Sequence, residues 1–390
     1  MNLLAGVVCL LSVVYGQRIV NRSYKRSIYF TGAIVREEHF IEVEVADATS
    51  KPASGMPEDL VTELHQNWFP NYVFVVPKAQ ANKLATWEAS LVKNLMESDV
   101  KPLQITEITS EVATCQKYGY RCLNIVLPME GQLNRNFLFA VSVSFSDQLE
   151  VKPKIQKDMS LPVRLLYRSE SLEPVSVYES ESTQTVLALT KKAKSLKLKC
   201  PIGRKPEKLN DVALSMGMKG FYCSGRSNGP LEFYFESKES IMMRITKLER
   251  KMTHLPWSNE IQVTDSFEYV HEGPKQPESP SFSRFDYAQV LQKKYGNLDG
   301  LQIVPRVFLV VPKSARTLQF RDEVGINWNE QERNSVDDQT DIVQIQLRSP
   351  LLGGMSVSFD FHYTIDADSL IKPSSRGLLQ ADLISSRRFW

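Results

Sequence analysis

No uninterrupted apolar stretch of this sequence reaches the ~20 residues that a helix needs to cross ~30 Å of hydrocarbon. Net charge is nearly absent as well, with 47 Lys and Arg against 45 Asp and Glu, a formal +2. That balance excludes a general nucleic-acid binder, which needs a large excess of cations to displace counterions from phosphate. Histidine is sparse, at positions 39, 65, 254, 271 and 362. His271-Glu272 opens like a zinc-peptidase helix, but no second histidine follows four residues on and Pro274 forbids the helix. A G-x-S-x-G elbow, a phosphate loop and a dinucleotide fingerprint are all missing. Nothing sets a nucleophile beside a base, so the expectation is a protein with no catalytic residues of its own, no cofactor and no metal.

What the sequence does hold is a phrase said twice. Tyr72-Val73-Phe74-Val75-Val76-Pro77-Lys78 returns as Val307-Phe308-Leu309-Val310-Val311-Pro312-Lys313. Short, β-branched and closed by a proline that cannot continue a ladder, each run reads as a strand buried on both faces. Downstream, Val141-Ser142-Val143-Ser144-Phe145 is echoed by Met355-Ser356-Val357-Ser358-Phe359, and upstream Ile41-Glu42-Val43-Glu44-Val45 by Ile261-Gln262-Val263-Thr264. Three echoes in one order predict two tandem β-sandwich-like domains in a mainly all-β protein, residues 17–252 and 253–390. About a hundred residues of further strands follow the first copy and only 31 follow Phe359, so the second domain is expected to be incomplete.

Residues 1–16 read as a secretory signal cleaved after Gly16. The cysteines left behind, Cys115, Cys122, Cys200 and Cys223, form an even set suited to an oxidising compartment and allow three pairings. Cys115 with Cys122, flanking what looks like a hairpin end, and Cys200 with Cys223 are the pairs expected. Asn21-Arg22-Ser23 is a glycosylation triplet in what reads as an exposed mature terminus. Strands are expected at residues 137–145, 163–168, 175–179, 185–189, 231–235, 242–248 and 342–348. Leu84, Trp87, Leu91 and Leu95 stand at helical spacing and predict a short helix. The lysine-rich segment 191–199 alternates Leu with Lys in its second half, the pattern of a protected edge strand. Arg284 with Asp286, and Arg321 with Asp322 and Glu323, are charge clusters best explained as ion pairs fixing loops at a sheet end.

Three phrases of the second half, Ser283-Arg284-Phe285-Asp286-Tyr287, Phe320-Arg321-Asp322-Glu323-Val324-Gly325 and Arg348-Ser349-Pro350-Leu351-Leu352-Gly353-Gly354, resemble in this order the luminal region of the ribophorin I family. Trp257-Ser258-Asn259 resembles the start of that family's second luminal domain. The resemblance implies a non-catalytic subunit of the endoplasmic-reticulum oligosaccharyltransferase, a glycoprotein on the luminal side of the membrane. Its implied partners are the other transferase subunits, the catalytic one included, together with nascent polypeptides and the translocon, without nucleic acid or metal. Ile326-Asn327-Trp328-Asn329 lacks the glycosylation triplet that many members carry there. The sequence also stops before the family's membrane helix. The rival readings are a secreted β-sandwich interaction module and the β-rich amino-terminal part of a metallopeptidase.

Overall fold

A computed structural model describes residues 17–47, 56–68, 71–92, 100–108, 115, 117–128, 136–156, 161–190, 192–209, 218–224, 228–237, 240–275, 301–326, 331–369, 371–373 and 379–381. Residues 1–16, expected to be the signal, and 283–287, with Arg284, Asp286 and Tyr287, lie outside them. Strands dominate, and the all-β expectation holds. The contacts divide the chain into two compact units, residues 1–150 with 165–237, and residues 151–164 with 238–390.

The first eight strands of the first unit are β1 (Gln17–Thr31), β2 (Ile34–Asp47), β3 (Tyr72–Val76), β4 (Leu84–Val92), β5 (Val100–Pro102), β6 (Ile105–Glu107), β7 (Arg121–Ile125) and β8 (Phe137–Phe145). In one sheet they run β1-β2-β8-β4-β5, and in a second β3-β7-β6. The second unit contributes β16 (Met243–Leu255), β17 (Glu260–His271), β18 (Ile303–Pro312), β19 (Arg316–Asp322), β20 (Gly325–Ile326), β21 (Gln331–Ser335), β22 (Thr340–Leu352) and β23 (Ser356–Asp366). These run β16-β17-β23-β19-β20 in one sheet and β18-β22-β21 in the other. Every strand of the first set therefore has a counterpart in the second, with the same neighbours. Because β16 forms a hairpin with β17, the boundary expected at 252/253 falls inside β16, and Trp257 is the tip of that hairpin.

Pairing corrects the register of the echoes. Past the hairpin turn Val35 faces Phe145, and past the other turn Ile261 faces Ile365. Phe145 thus corresponds to Ile365 and Ile41 to Phe267, six positions beyond the matches read from sequence. Six is even, so a slipped match still puts each residue on its proper face.

Each unit closes as a sandwich. In the first, Ile41, Val43, Phe139, Val141 and Val143 from one sheet meet Tyr72, Phe74, Leu123 and Ile125 from the other; side chains buried like this contribute roughly 1.5 to 3 kcal/mol each. Helix α1 (Glu58–Trp68) joins that core through Leu60 and Leu64, and all five residues of β3 are buried. The sequence reading left α1 out. In the second unit Val307, Leu309 and Val311 are buried but Phe308 is 39% exposed. The expectation that β18 is buried on both faces is thus wrong: no α-helix among the described residues of that unit joins its core as α1 joins the first.

Seven further strands precede β16 in the chain: β9 (Leu149–Lys152), β10 (Arg164–Ser169), β11 (Thr183–Leu189), β12 (Lys194–Lys199), β13 (Lys205–Leu209), β14 (Lys219–Ser224) and β15 (Leu231–Glu236). Three of them, β11, β14 and β13, extend the large sheet beyond β1; the others form a sheet β12-β15-β10-β9. Lysine-bearing β12 is an edge strand, as its alternation predicts. Residues 175–179 are not a strand, since the Ser176 hydroxyl takes the Tyr178 N–H and turns the backbone.

The expected helix at 84–95 is also wrong, because residues 84–92 are strand β4. A bulge between Leu84 and Thr86 inserts one residue, after which Trp87, Ala89 and Leu91 face Val143, Val141 and Phe139. Three residues across a bulge followed by four along a strand imitate a helical period.

Candidate functional site

Two of the family-like phrases come together in the second unit. The Asp322 carboxylate accepts the backbone N–H groups of Val324 and Gly325 at 3.0 and 3.1 Å, closing the turn between β19 and β20. Its other partner is Arg348 on β22, whose Nε lies 2.8 Å from Oδ2 and whose second donor goes to the Ile326 carbonyl at 3.3 Å. Burial favours the protonated acid, yet Arg348 and the two N–H groups outweigh it and hold the carboxyl below its ordinary value. Asp322 therefore pairs with Arg348 and not with its neighbour Arg321, which is exposed on β19 opposite Ile326. Gly325 has φ +136°, a backbone conformation that a Cβ disfavours.

Gly353 and Gly354 make the turn from β22 to β23. A Cβ on Gly353 would stand 2.1 Å from the Pro274 carbonyl oxygen. The Gly354 N–H donates to the His271 carbonyl at 2.7 Å, and the His271 N–H to that of Met355 at 2.9 Å. The two glycines thus let one turn lie against the end of β17. Beside the Asp322 turn opens a cleft of about 100 Å³, lined by Phe320, Asp322, Glu323, Leu347, Arg348, Ser349, Ser356 and Ser358 among others. The lining has no imidazole or thiol to activate a hydroxyl, and its one close ion pair fixes a turn.

A second polar cluster, which the sequence reading missed, lies at the centre of the first unit. Arg26 on β1 forks onto Glu37 of β2, with both nitrogen to oxygen distances 2.7 Å. Gln80 donates to Glu37 at 3.0 Å and Tyr167 at 3.2 Å. His39 Nε2 is 3.3 Å from Glu37, and its Nδ1 lies 3.2 Å from the Tyr24 hydroxyl. Burial alone would raise the Glu37 carboxyl, but the Arg26 charge, the nearby His39 ring and the hydrogen bonds from Arg26 keep it well below the carboxylate range. Burial pushes His39 down from its ordinary 6.5 against the pull of Glu37. The sequence signal was present: Glu37 and His39 share the phase of Val35, Ile41 and Val43, so two ionisable residues occupy inward positions.

The other expected residues are placed plainly. Cys115 is bonded to Cys122 and Cys200 to Cys223; Cys122 lies in β7, and the backbone at Cys115 is helical, not the arm of a hairpin. Asn21 is not in an exposed terminus. It sits in β1 with no exposure, its amide nitrogen donating to Ser176 and Ser180 at 3.1 and 3.0 Å and its oxygen accepting from Tyr72 at 3.3 Å. A sugar on that nitrogen has no room in this fold. Among the described residues, no His, Cys, Asp and Glu set is gathered as for a metal, and no helix is long and apolar enough to cross a membrane.

Comparison with known proteins gives one family. A comparison with curated protein sequences returned no match. Among solved structures, leukotriene A4 hydrolase from Saccharomyces cerevisiae is 7% identical with a TM-score of 0.29, over 61% of this chain and 30% of that one. The M1 zinc metallopeptidase of Deinococcus radiodurans is 10% identical with a TM-score of 0.27, over 61% and 44%. This chain thus spans less than half of either enzyme, at a similarity too low to carry an argument. The family model described as ribophorin I, by contrast, matches residues 19–387, both units and nearly the whole sequence, and the chain belongs to the ribophorin I family.

Proposed function

We propose that the protein is an accessory, non-catalytic subunit of the endoplasmic-reticulum oligosaccharyltransferase. It supports transfer of a dolichol-linked oligosaccharide to asparagine in nascent chains from the luminal side of the membrane. The observation that carries this reading is the family match across residues 19–387. The chemistry of the described sites is compatible with it, because their ionisable groups are spent on structural pairs: Arg26 with Glu37, Arg250 with Asp265, Arg348 with Asp322. The work left for such a scaffold is contact, through sheet faces and edges, with the catalytic subunit, with other transferase subunits, and with nascent polypeptide leaving the translocon.

Affinity purification of the tagged full chain from microsomes tests the reading. Co-recovery of the catalytic transferase subunit, with under-glycosylation of a reporter when the protein is depleted, is the expected result. Recovery without any transferase subunit overturns it.

A further inference from the structure

The internal repeat shows one position that is filled in the first unit and, among the described residues, open in the second. Pairing makes Tyr24, Arg26 and Ile28 of β1 the counterparts of Leu248, Arg250 and Met252 of β16, since they face Ile41, His39 and Glu37 in one hairpin and Phe267, Asp265 and Val263 in the other. On its other side β1 is paired in parallel with β11, Tyr24 beside Thr183, Arg26 beside Thr185 and Ile28 beside Leu187. Those three β1 residues are at most 3% exposed.

Among the described residues no such neighbour stands beside β16. It is the end strand of its sheet, thirteen residues long and mostly exposed. Leu248, the counterpart of buried Tyr24, is 42% exposed, while Met243, Ile245 and Met252 of the same inward row are only partly buried against the core. An unpaired edge of this length presents a row of backbone donors and acceptors ready for another strand.

We infer that the outer edge of β16 is a docking site for an extended segment of a partner polypeptide, added as a parallel strand in the place that β11 takes beside β1. The repeat supplies the chemistry of the occupant. Beside Leu248 and Arg250 it carries small or β-branched residues, as Thr183 and Thr185 stand beside Tyr24 and Arg26. Beside Met252 it carries a branched apolar residue, as Leu187 stands beside Ile28. The outward row of β16 holds Lys247, Glu249 and Lys251, which suits neutral or acidic residues in the alternate phase. The two lysines also set like charges against a second β16, which disfavours self-pairing. The inference stands on the pairing pattern and does not rest on the transferase reading.

The test uses the full chain and a fluorescent synthetic peptide with the β11 sequence, residues 182–190. Saturable binding is expected by anisotropy, with new protection from amide hydrogen exchange confined to β16. Leu248→Lys puts a charge in the inward row at an already half-exposed place; it should weaken binding at least tenfold with an unchanged thermal unfolding midpoint, while Leu248→Met retains it. A peptide carrying Thr185→Lys and Leu187→Lys should not bind. The inference is overturned by absence of saturable binding, by protection elsewhere, or by full affinity in the Leu248→Lys protein. A concentration-dependent dimer lost on Leu248→Lys also overturns it, by assigning the edge to a second copy.

Discussion

Arg26 and Arg250 occupy equivalent places in two hairpins, and each forks onto a buried carboxylate of the following strand. Arg250 reaches both oxygens of Asp265 at 2.5 and 2.7 Å, directly across the ladder. Arg26 reaches Glu37, two residues before its cross-strand neighbour His39. The Arg26 pair is the more enclosed, with side chains 4% and 2% exposed. Removing one member of such a pair strands a charge, at a cost of about 3 to 5 kcal/mol, whereas replacing both with apolar groups of similar volume is close to neutral. Arg26→Met or Glu37→Leu alone should therefore lower the urea midpoint of the first unit's transition sharply. The double variant should recover most of the loss, and equal losses in all three would show that the fork is not the reason.

The same cluster makes the first unit sensitive to mild acid. Folded His39, facing Glu37, Arg26, Tyr24 and the Phe74 ring, resists protonation because burial disfavours the cation. The unfolded chain takes up that proton near the ordinary value of 6.5. Below 6.5 and above the folded value, the unfolded state holds more protons, so stability rises with pH there and falls on acidification. Glu37 acts in the same direction lower down: its contribution is present above the ordinary 4.5 and is lost as pH falls toward its folded value. Urea midpoints of the first transition should drop from pH 7.5 to pH 5.5 in the parent protein, and His39→Gln should flatten that slope. A parent protein with no slope over this range would contradict the assignment.

How much of this was written in the sequence depends on the range of the signal. The duplicated design was legible in Tyr72-Val73-Phe74-Val75-Val76 and its echo, because strand cores and their closing prolines are local. So were the turn at Asp322 to Gly325 and the lysine-guarded edge at β12. The misreadings share another origin. The bulge at β4 mimicked a helix, since one inserted residue changes the period. The slip of six in the echoes went unseen because only cross-strand partners fix register. Asn21 looked terminal and exposed because Ser176 and Ser180, which hold it, lie more than 150 positions away. The meeting of Asp322 with Arg348 was hinted at by two phrases of one family, while the pairing itself is a fact of the fold.

Asn21 leads to a prediction about modification. Its amide makes three side-chain hydrogen bonds inside the first unit, so the folded protein should carry no glycan there, and the peptide containing residues 21–23 should have its unmodified mass. Asn21→Ala removes an acceptor from Tyr72 and donors from two serines, leaving buried groups unsatisfied at about 1 to 3 kcal/mol. Its unfolding midpoint should fall accordingly. A sugar found on Asn21 in natively folded protein would refute the placement of β1.

Gly353 and Gly325 separate two reasons for a glycine. At Gly325 a Cβ would meet nothing within 4 Å, and the obstacle is φ +136° alone. Strain of that kind costs on the order of 1 to 3 kcal/mol, and a two-residue β20 at the sheet edge can relax around it. At Gly353 the Cβ would lie 2.1 Å from the Pro274 carbonyl oxygen and 2.6 Å from its carbon, so relief requires the β22 to β23 turn to part from the end of β17. That parting would strain the two backbone hydrogen bonds joining His271 to Gly354 and Met355. Gly353→Ala should therefore destabilise the second unit more than Gly325→Ala, and should raise hydrogen exchange at the Gly354 and His271 amides, which Gly325→Ala leaves protected. The reverse order of stability, or protection retained at both amides in Gly353→Ala, would mean that the turn does not seat against β17.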